Sequence, residues 1–285
     1  MTRLRTEALV TPQWLHDHLD APDLRVIDAS YFMPASGRDA RQDYEAAHIP
    51  GAIFFDINAV ADTSQPKPHS LPAPEVFSSA CRGLGIGDGQ RLVVYDRNGG
   101  AMAAARVWWM FRLFGQSEVS VLDGGIGAWQ AEGRPTDDLP RLHGRRHFTA
   151  RLDNTLMRTA SQVREAVESG RAQVVDARSS GRFTATAPEP WPVARVGHIP
   201  GSINLPYTDL VVASEHGRLA DREILTQAFA KAGVDLGKPV IATCGSGVSA
   251  CVIALAAAQL GHETVAVYDG SWFEWSGLAD YPTAP

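Results

Sequence analysis

The chain has 285 residues, of which 45% are hydrophobic and 20% charged, with a formal net charge of −6. This length suits two domains of about 140 residues each, and the acidic balance excludes a nucleic-acid binder that works through bulk phosphate attraction. Three cysteines without CxxC spacing indicate neither a disulfide framework nor a zinc site, and no uncharged apolar stretch approaches the roughly 18 residues a membrane span needs. The opening Met-Thr-Arg-Leu-Arg-Thr-Glu lacks the apolar run of a secretory leader, so a reducing cytoplasm is expected. Arg141, Arg145, Arg146 and Arg151 form a local basic cluster, read as a solvated connection.

In chain order, Thr11 and Pro12 predict an N-cap and first helical position, followed by a strand at Leu24–Ile27. His48-Ile49-Pro50-Gly51 marks a loop. A strand at Arg91–Tyr95, a helix through Met102–Phe114 ended by Gly115, and a strand at Val119–Leu122 complete the first half. Prolines, glycine and charge from Pro135 to Gly144 mark a joint, and the linker is placed at residues 139–157. Thr159 then caps a second helical run leading to a strand at Gln173–Val175. Strands follow at Val240–Thr243 and Thr264–Tyr268. Between these two, Cys251–Leu260 is apolar nearly all round, which predicts a buried helix stopped at Gly261.

The two halves repeat one another. Thr11 returns as Thr159, His48-Ile-Pro-Gly as His198-Ile-Pro-Gly, Asp96 as Cys244, and Asp123-Gly-Gly as Asp269-Gly-Ser, at offsets of 148, 150, 148 and 146. Four anchors so nearly in register indicate a duplicated domain, residues 1–138 and 158–285. Strands alternating with helices make each copy α/β, a parallel sheet with helices on both faces.

Residues 243–250, Thr-Cys-Gly-Ser-Gly-Val-Ser-Ala, lie between a strand and a helix. Such a turn sets Cys244 where amide N–H groups and a helix N-terminus favour an anion, at the carboxyl end of a strand. An ordinary thiol is only a few per cent ionised at neutral pH, so this environment marks Cys244 as the candidate nucleophile. The first copy has Asp96 at this position and cannot do thiolate chemistry. Cys251 inside the apolar helix and Cys81 before a turn read as structural, as do His198, Asp28 and Asp176. Arg178 reads as an ion-pair partner, and the tryptophans Trp108, Trp109, Trp272 and Trp275 as packing, although Trp272 and Trp275 could also wall a pocket.

Tandem His-Ile-Pro-Gly copies, one Cys-Gly-Ser-Gly-Val loop and Asp-Gly-Ser-Trp near the end resemble the rhodanese superfamily over essentially the whole chain. The resemblance implies two tandem rhodanese-like domains and transfer of a sulfane sulfur through a persulfide on Cys244. Gly245 and Ser246 carry no charge, whereas family members specific for the thiosulfate dianion usually carry basic residues there. The loop is thus similar to those that take sulfur from 3-mercaptopyruvate and release pyruvate.

Carried over, the amides from Gly245 through Gly247, Val248 and Ser249 to Ala250 would stabilise the thiolate and persulfide. Ser246 would join a relay with His48 and Asp39 that delivers a proton to the departing enolate. The family holds the substrate carboxylate with two arginines. Arg182, in Gly-Arg-Phe, matches one. Trp191 stands where the second is expected, and Arg195 is the candidate replacement. The implied partners are a small-molecule sulfur donor and a thiol acceptor (a thioredoxin-like protein, a small thiol or cyanide), with no nucleic acid, membrane, metal or other cofactor. Thiosulfate transfer and a persulfide relay to a protein remain alternative readings. Phosphatase chemistry is excluded, because its Cys-x5-Arg loop would need an arginine at Ala250.

Overall fold

A computed structural model describes residues 7–98, 102–140 and 143–285; the opening residues 1–6 and Arg141 of the basic cluster lie outside them. The chain forms two compact units, Met1–Val60 with Pro72–Asp153 and Val212–Leu219, and Ala61–Leu71 with Asn154–Val211 and Ala220–Pro285. Each half thus contributes one short segment to the unit built mainly by the other.

In the N-terminal unit the strands Leu9–Val10, Val119–Leu122, Arg91–Tyr95, Leu24–Asp28 and Ile53–Phe54 lie side by side in that order, all parallel. The inner strands are buried nearly throughout, as their continuous Val, Ile and Leu runs require in a sheet covered on both faces. Leu15, Val26, Tyr44, Ile49, Val93 and Trp129 belong to one core cluster. The helix Met102–Leu113 ends one residue before its predicted end and is buried on almost every side.

Residues 143–153 belong to this unit rather than to a free connection. Phe148 is buried with its ring edge-on to Phe77 at 5.7 Å. The amides of Thr149, Arg151 and Asp153 donate to Asp88 Oδ1, the Phe114 carbonyl and the Leu113 carbonyl. Prolines, glycine and charge from Pro135 to Gly144 read as a joint, but just beyond them the buried Phe148 and the backbone partners of Thr149, Arg151 and Asp153 tie the chain to this unit.

The C-terminal unit repeats the plan with four parallel strands in the order Ala266–Val267, Val240–Thr243, Gln173–Asp176 and Ile203–Asn204. The edge strand is shorter than Thr264–Tyr268, because residues 263–264 form a turn. The apolar helix is Ala250–Gln259, buried over most of its length. Val163, Val174, Ile241, Trp272 and Trp275 form the core. Trp108 and Trp109 are likewise buried in the N-terminal unit. Among the described residues no helix is long and apolar enough to cross a membrane.

Both predicted N-caps form. Thr11 Oγ1 accepts the Trp14 N–H at 3.1 Å. Thr159 makes a reciprocal capping box with Gln162, whose Oε1 accepts the Thr159 N–H at 2.9 Å. Thr159→Ala should therefore lower stability by about 1 kcal/mol in urea unfolding, with an unchanged slope. An unaltered midpoint would show that the box contributes nothing.

Candidate active site

Val240–Thr243 runs between two parallel neighbours, so Cys244 lies just beyond the carboxyl end of an inner strand, where α/β sheets present ligands. Its backbone is held by the helix Ser271–Gly277. The Cys244 N–H donates to Ser271 Oγ at 3.2 Å, and the amides of Trp272 and Phe273 donate to the Cys244 and Gly245 carbonyls at 2.9 and 3.0 Å. The Gly247 N–H donates to Cys244 Sγ at 3.1 Å, and Ser271 Oγ stands 4.0 Å from the same sulfur. Asp-Gly-Ser-Trp, visible in the sequence as a repeat anchor, thus supplies one wall of the site.

Glycine is needed at two loop positions for different reasons. Gly247 has φ of 87°, and a Cβ there would press on the Asp269 carbonyl at 2.7 Å. A Cβ on Gly245 would collide with the Arg182 guanidinium. Arg182 therefore lies directly against the loop. Glu189 fixes it, receiving Arg182 Nε at 3.0 Å and the adjacent Nη2. The other Glu189 oxygen accepts from Arg178 Nη1 at 2.7 Å, and Arg178 is also paired with Asp176 at 2.7 Å. Arg178 is the ion-pair partner that the sequence indicated.

Arg195 requires a correction. Its guanidinium donates to four main-chain carbonyls, those of Ser276, Tyr281, Trp275 and Leu278, at 2.6 to 3.1 Å. It ties the end of Ser271–Gly277 to the following chain and is not placed to replace the arginine missing at Trp191.

His48 and Asp39 are likewise occupied within the N-terminal unit. Asp39 caps the helix Ala40–Ala46, accepting the Arg41 and Gln42 amides at 2.8 and 3.2 Å. His48 is fully buried, stacks on Tyr44 at 4.2 Å and donates Nδ1–H to the Tyr44 carbonyl at 2.8 Å. His198 repeats this, stacked on Phe183 at 3.8 Å with Nδ1 at 3.0 Å from the Phe183 carbonyl. A histidine doing the same work in both copies is a feature of the duplicated loop, and neither His48 nor Asp39 pairs with the other.

Two residues beside the loop were not anticipated. Lys67 and His69 lie on the 61–71 segment that belongs to the C-terminal unit, and both are buried. Lys67 Nζ donates to the Ser246 carbonyl at 3.1 Å and to the His69 carbonyl at 3.5 Å. The His69 ring lies edge-on to Trp191 with centroids 6.1 Å apart. His69 also has φ of 56°, an uncommon conformation for a residue with a Cβ and one that clusters at functional sites. Its sequence context, Pro-Lys-Pro-His-Ser, has no counterpart in the second half and no periodicity, so only the charged residues inside a proline-rich loop could have drawn attention to it.

The remaining thiols are built differently from Cys244. Burial pushes the Cys81 thiol well above its ordinary range, and Cys251 Sγ donates to the Gly247 carbonyl at 3.4 Å. Arg195→Ala should lower stability by about 2–3 kcal/mol in chemical unfolding, as expected for lost hydrogen bonds from a charged donor. Its KM for a carboxylate-bearing donor should stay close to the parent's. A KM increase without loss of stability would restore Arg195 to the clamp.

Comparison with known proteins agrees with this geometry. The rhodanese-like domain model matches residues 11–132 and again 159–278. Human 3-mercaptopyruvate sulfurtransferase is 44% identical over 94% of this chain and 91% of its own length. Bovine thiosulfate sulfurtransferase is 45% identical over the same shares. The crystal structure of SseA from Escherichia coli, described as a 3-mercaptopyruvate sulfotransferase of rhodanese fold, superposes with a TM-score of 0.85 at 39% identity, covering 94% of this chain and 99% of that one. With a duplicated parallel α/β plan, a single cysteine-bearing loop and relatives matched along nearly their whole length, the chain belongs to the rhodanese-like family, in its tandem-domain form.

Proposed function

We propose that this chain is a sulfurtransferase that moves sulfane sulfur from 3-mercaptopyruvate through a Cys244 persulfide to a thiol or cyanide acceptor, releasing pyruvate. The observation that carries the reading is the Gly247 N–H directed at Cys244 Sγ within a loop held by Ser271–Gly277. The Cys244 thiolate attacks the donor sulfur. The carbon–sulfur bond breaks, its electron pair passes into the pyruvate enolate, and a proton completes pyruvate. An acceptor thiolate or cyanide then takes the outer sulfur, and Cys244 leaves as thiolate.

Arg182 is the proposed carboxylate partner. Glu189 occupies the Nε–Nη2 edge of its guanidinium, which leaves Nη1 to a ligand carboxylate. For the enolate proton, Ser246 is paired here with His69 in place of His48 and Asp39. The Ser246 and His69 carbonyls share the Lys67 ammonium, so the two residues are neighbours, whereas His48 Nδ1 and Asp39 Oδ1 bond to backbone groups of their own unit. None of the three cysteines is in a disulfide, which suits the cytoplasm or another reducing compartment.

Thiosulfate is the competing donor, supported by the similarity to the bovine thiosulfate enzyme. Steady-state rates with both donors decide between them. A higher kcat/KM for 3-mercaptopyruvate is expected, and a clear preference for thiosulfate would overturn the assignment. Arg182→Ala should raise KM for mercaptopyruvate about tenfold with little change in kcat, the pattern of lost uniform binding. An unchanged KM removes Arg182 from the clamp. His69→Asn should lower kcat about 100-fold, as loss of a positioned proton donor does, with the fold intact by circular dichroism. A variant with parental kcat would return the proton to another group.

A further inference from the structure

The two residues after Cys244 bring no charge to the loop, yet a cation is present. Lys67, 179 positions before Ser246 in sequence, is only 9% exposed. Its Nζ lies 3.1 Å from the Ser246 carbonyl, 3.3 Å from Asp269 Oδ2 and 3.3 Å from the Pro68 carbonyl. A buried ammonium persists only when paired and hydrogen-bonded, and Asp269 supplies the opposite charge. Asp269 is itself positioned, accepting the Leu71 N–H at 3.2 Å, with its backbone carbonyl in the space a Gly247 Cβ would need.

The carbonyl that Lys67 holds belongs to the same peptide whose N–H reaches the sulfur. In the planar Ser246–Gly247 unit the oxygen meets the ammonium and the nitrogen meets Cys244 Sγ at 3.1 Å. A trans peptide points its C=O and N–H in opposite directions and joins them by resonance. Charge drawn toward the oxygen makes the N–H a stronger donor, as in any polarised chain of hydrogen bonds. We propose that Lys67 is a positioning residue acting on Cys244 through this one peptide, fixing its plane and strengthening the Gly247 N–H bond to the sulfur. It thereby favours negative charge on Sγ, both when Cys244 attacks a donor and when it leaves as thiolate. Lys67 acts through this peptide and is a positioning residue, not a catalytic one.

This inference rests on the reading of Cys244 as a thiolate nucleophile but not on the identity of the donor. Among the described residues, other charged or titratable groups near the loop include Arg182 with Glu189 beside Gly245, Glu274 beside Gly270, and His69 on the Lys67 segment. The first two are paired with each other, so Lys67 and Asp269 are the charges whose balance a single substitution changes most directly.

The test uses the full chain and no sulfur donor. The rate of Cys244 carbamidomethylation by iodoacetamide is followed against pH by peptide mass spectrometry. In Lys67→Met the midpoint of the pH profile should rise by about one pH unit, a roughly tenfold loss of reactive thiolate near neutrality, with the high-pH plateau retained. Asp269→Asn, which keeps an acceptor for Leu71 and removes the opposing charge, should move the midpoint down. Opposite shifts support the proposal. A Lys67→Met profile that superposes on the parent's, or upward shifts in both variants, as simple loosening of the loop would give, overturns it. If Lys67→Met does not fold, Lys67→Gln keeps a donor to the Ser246 carbonyl without the charge and is read in the same way. Shifts of the expected sign in a protein that transfers sulfur from neither donor would overturn the proposed function and leave this inference standing.

Discussion

One peptide unit, Ser246–Gly247, is the constraint on which the site depends. Its nitrogen is bound to the cysteine sulfur and its oxygen to a buried ammonium, while the preceding carbonyls of Cys244 and Gly245 are taken by the first amides of Ser271–Gly277. A strand-to-helix turn this tight cannot satisfy its own backbone groups, so the neighbours that do so decide its shape. The left-handed Gly247 and the Cβ-free Gly245 follow from that arrangement. One allows the turn over Asp269, and the other admits Arg182. Chemistry at the sulfur is therefore a property of the parts that hold the loop as much as of the cysteine.

The duplication sets two closely matched turns side by side, one carrying an aspartate and one a cysteine. In the N-terminal copy Asp96 occupies the corresponding strand end, and its carboxylate accepts the Asn98 and Ala104 amides at 3.1 and 2.9 Å. Its carbonyl receives the Ile126 N–H as that of Cys244 receives Trp272. Burial pushes the Asp96 carboxyl above its ordinary range, partly offset by those amides. The same amide-lined turn thus holds a carboxyl in one copy and a sulfur in the other. The adjoining turns differ by one informative residue. Gly125 has φ of 55°, and its counterpart Ser271 adopts 52° despite its side chain. That strain is accompanied by a hydroxyl that bonds the Cys244 N–H and donates to the Tyr268 carbonyl.

The fold and the strand-to-helix position of the cysteine-bearing loop were legible in the sequence because repetition and periodicity are local signals. The strand Arg91–Tyr95, the strand Val240–Thr243 and the buried helix after Cys244 lie where apolar patterning placed them. The partners of the loop were not legible in this way. Lys67 and His69 come from a segment of the opposite half that folds with the C-terminal unit, and no periodicity encodes such an exchange. Arg195 was read by its distance from Trp191 in sequence, whereas its role is set by four carbonyls about eighty residues later, which spacing cannot reveal. His48 and Asp39 carried local signals that favoured structure, a histidine shared by both copies and an aspartate just before a helix, and the family pattern outweighed them.

The central claim is that Cys244 alone carries sulfur. Intact-protein and peptide mass spectrometry after treatment with 3-mercaptopyruvate, in the absence of an acceptor, tests this most directly. The account predicts a protein heavier by one sulfur atom, with the addition on the Cys244 peptide, removed by a thiol and absent in Cys244→Ser. Sulfur found on Cys81 or Cys251, or full turnover by Cys244→Ser, would contradict it.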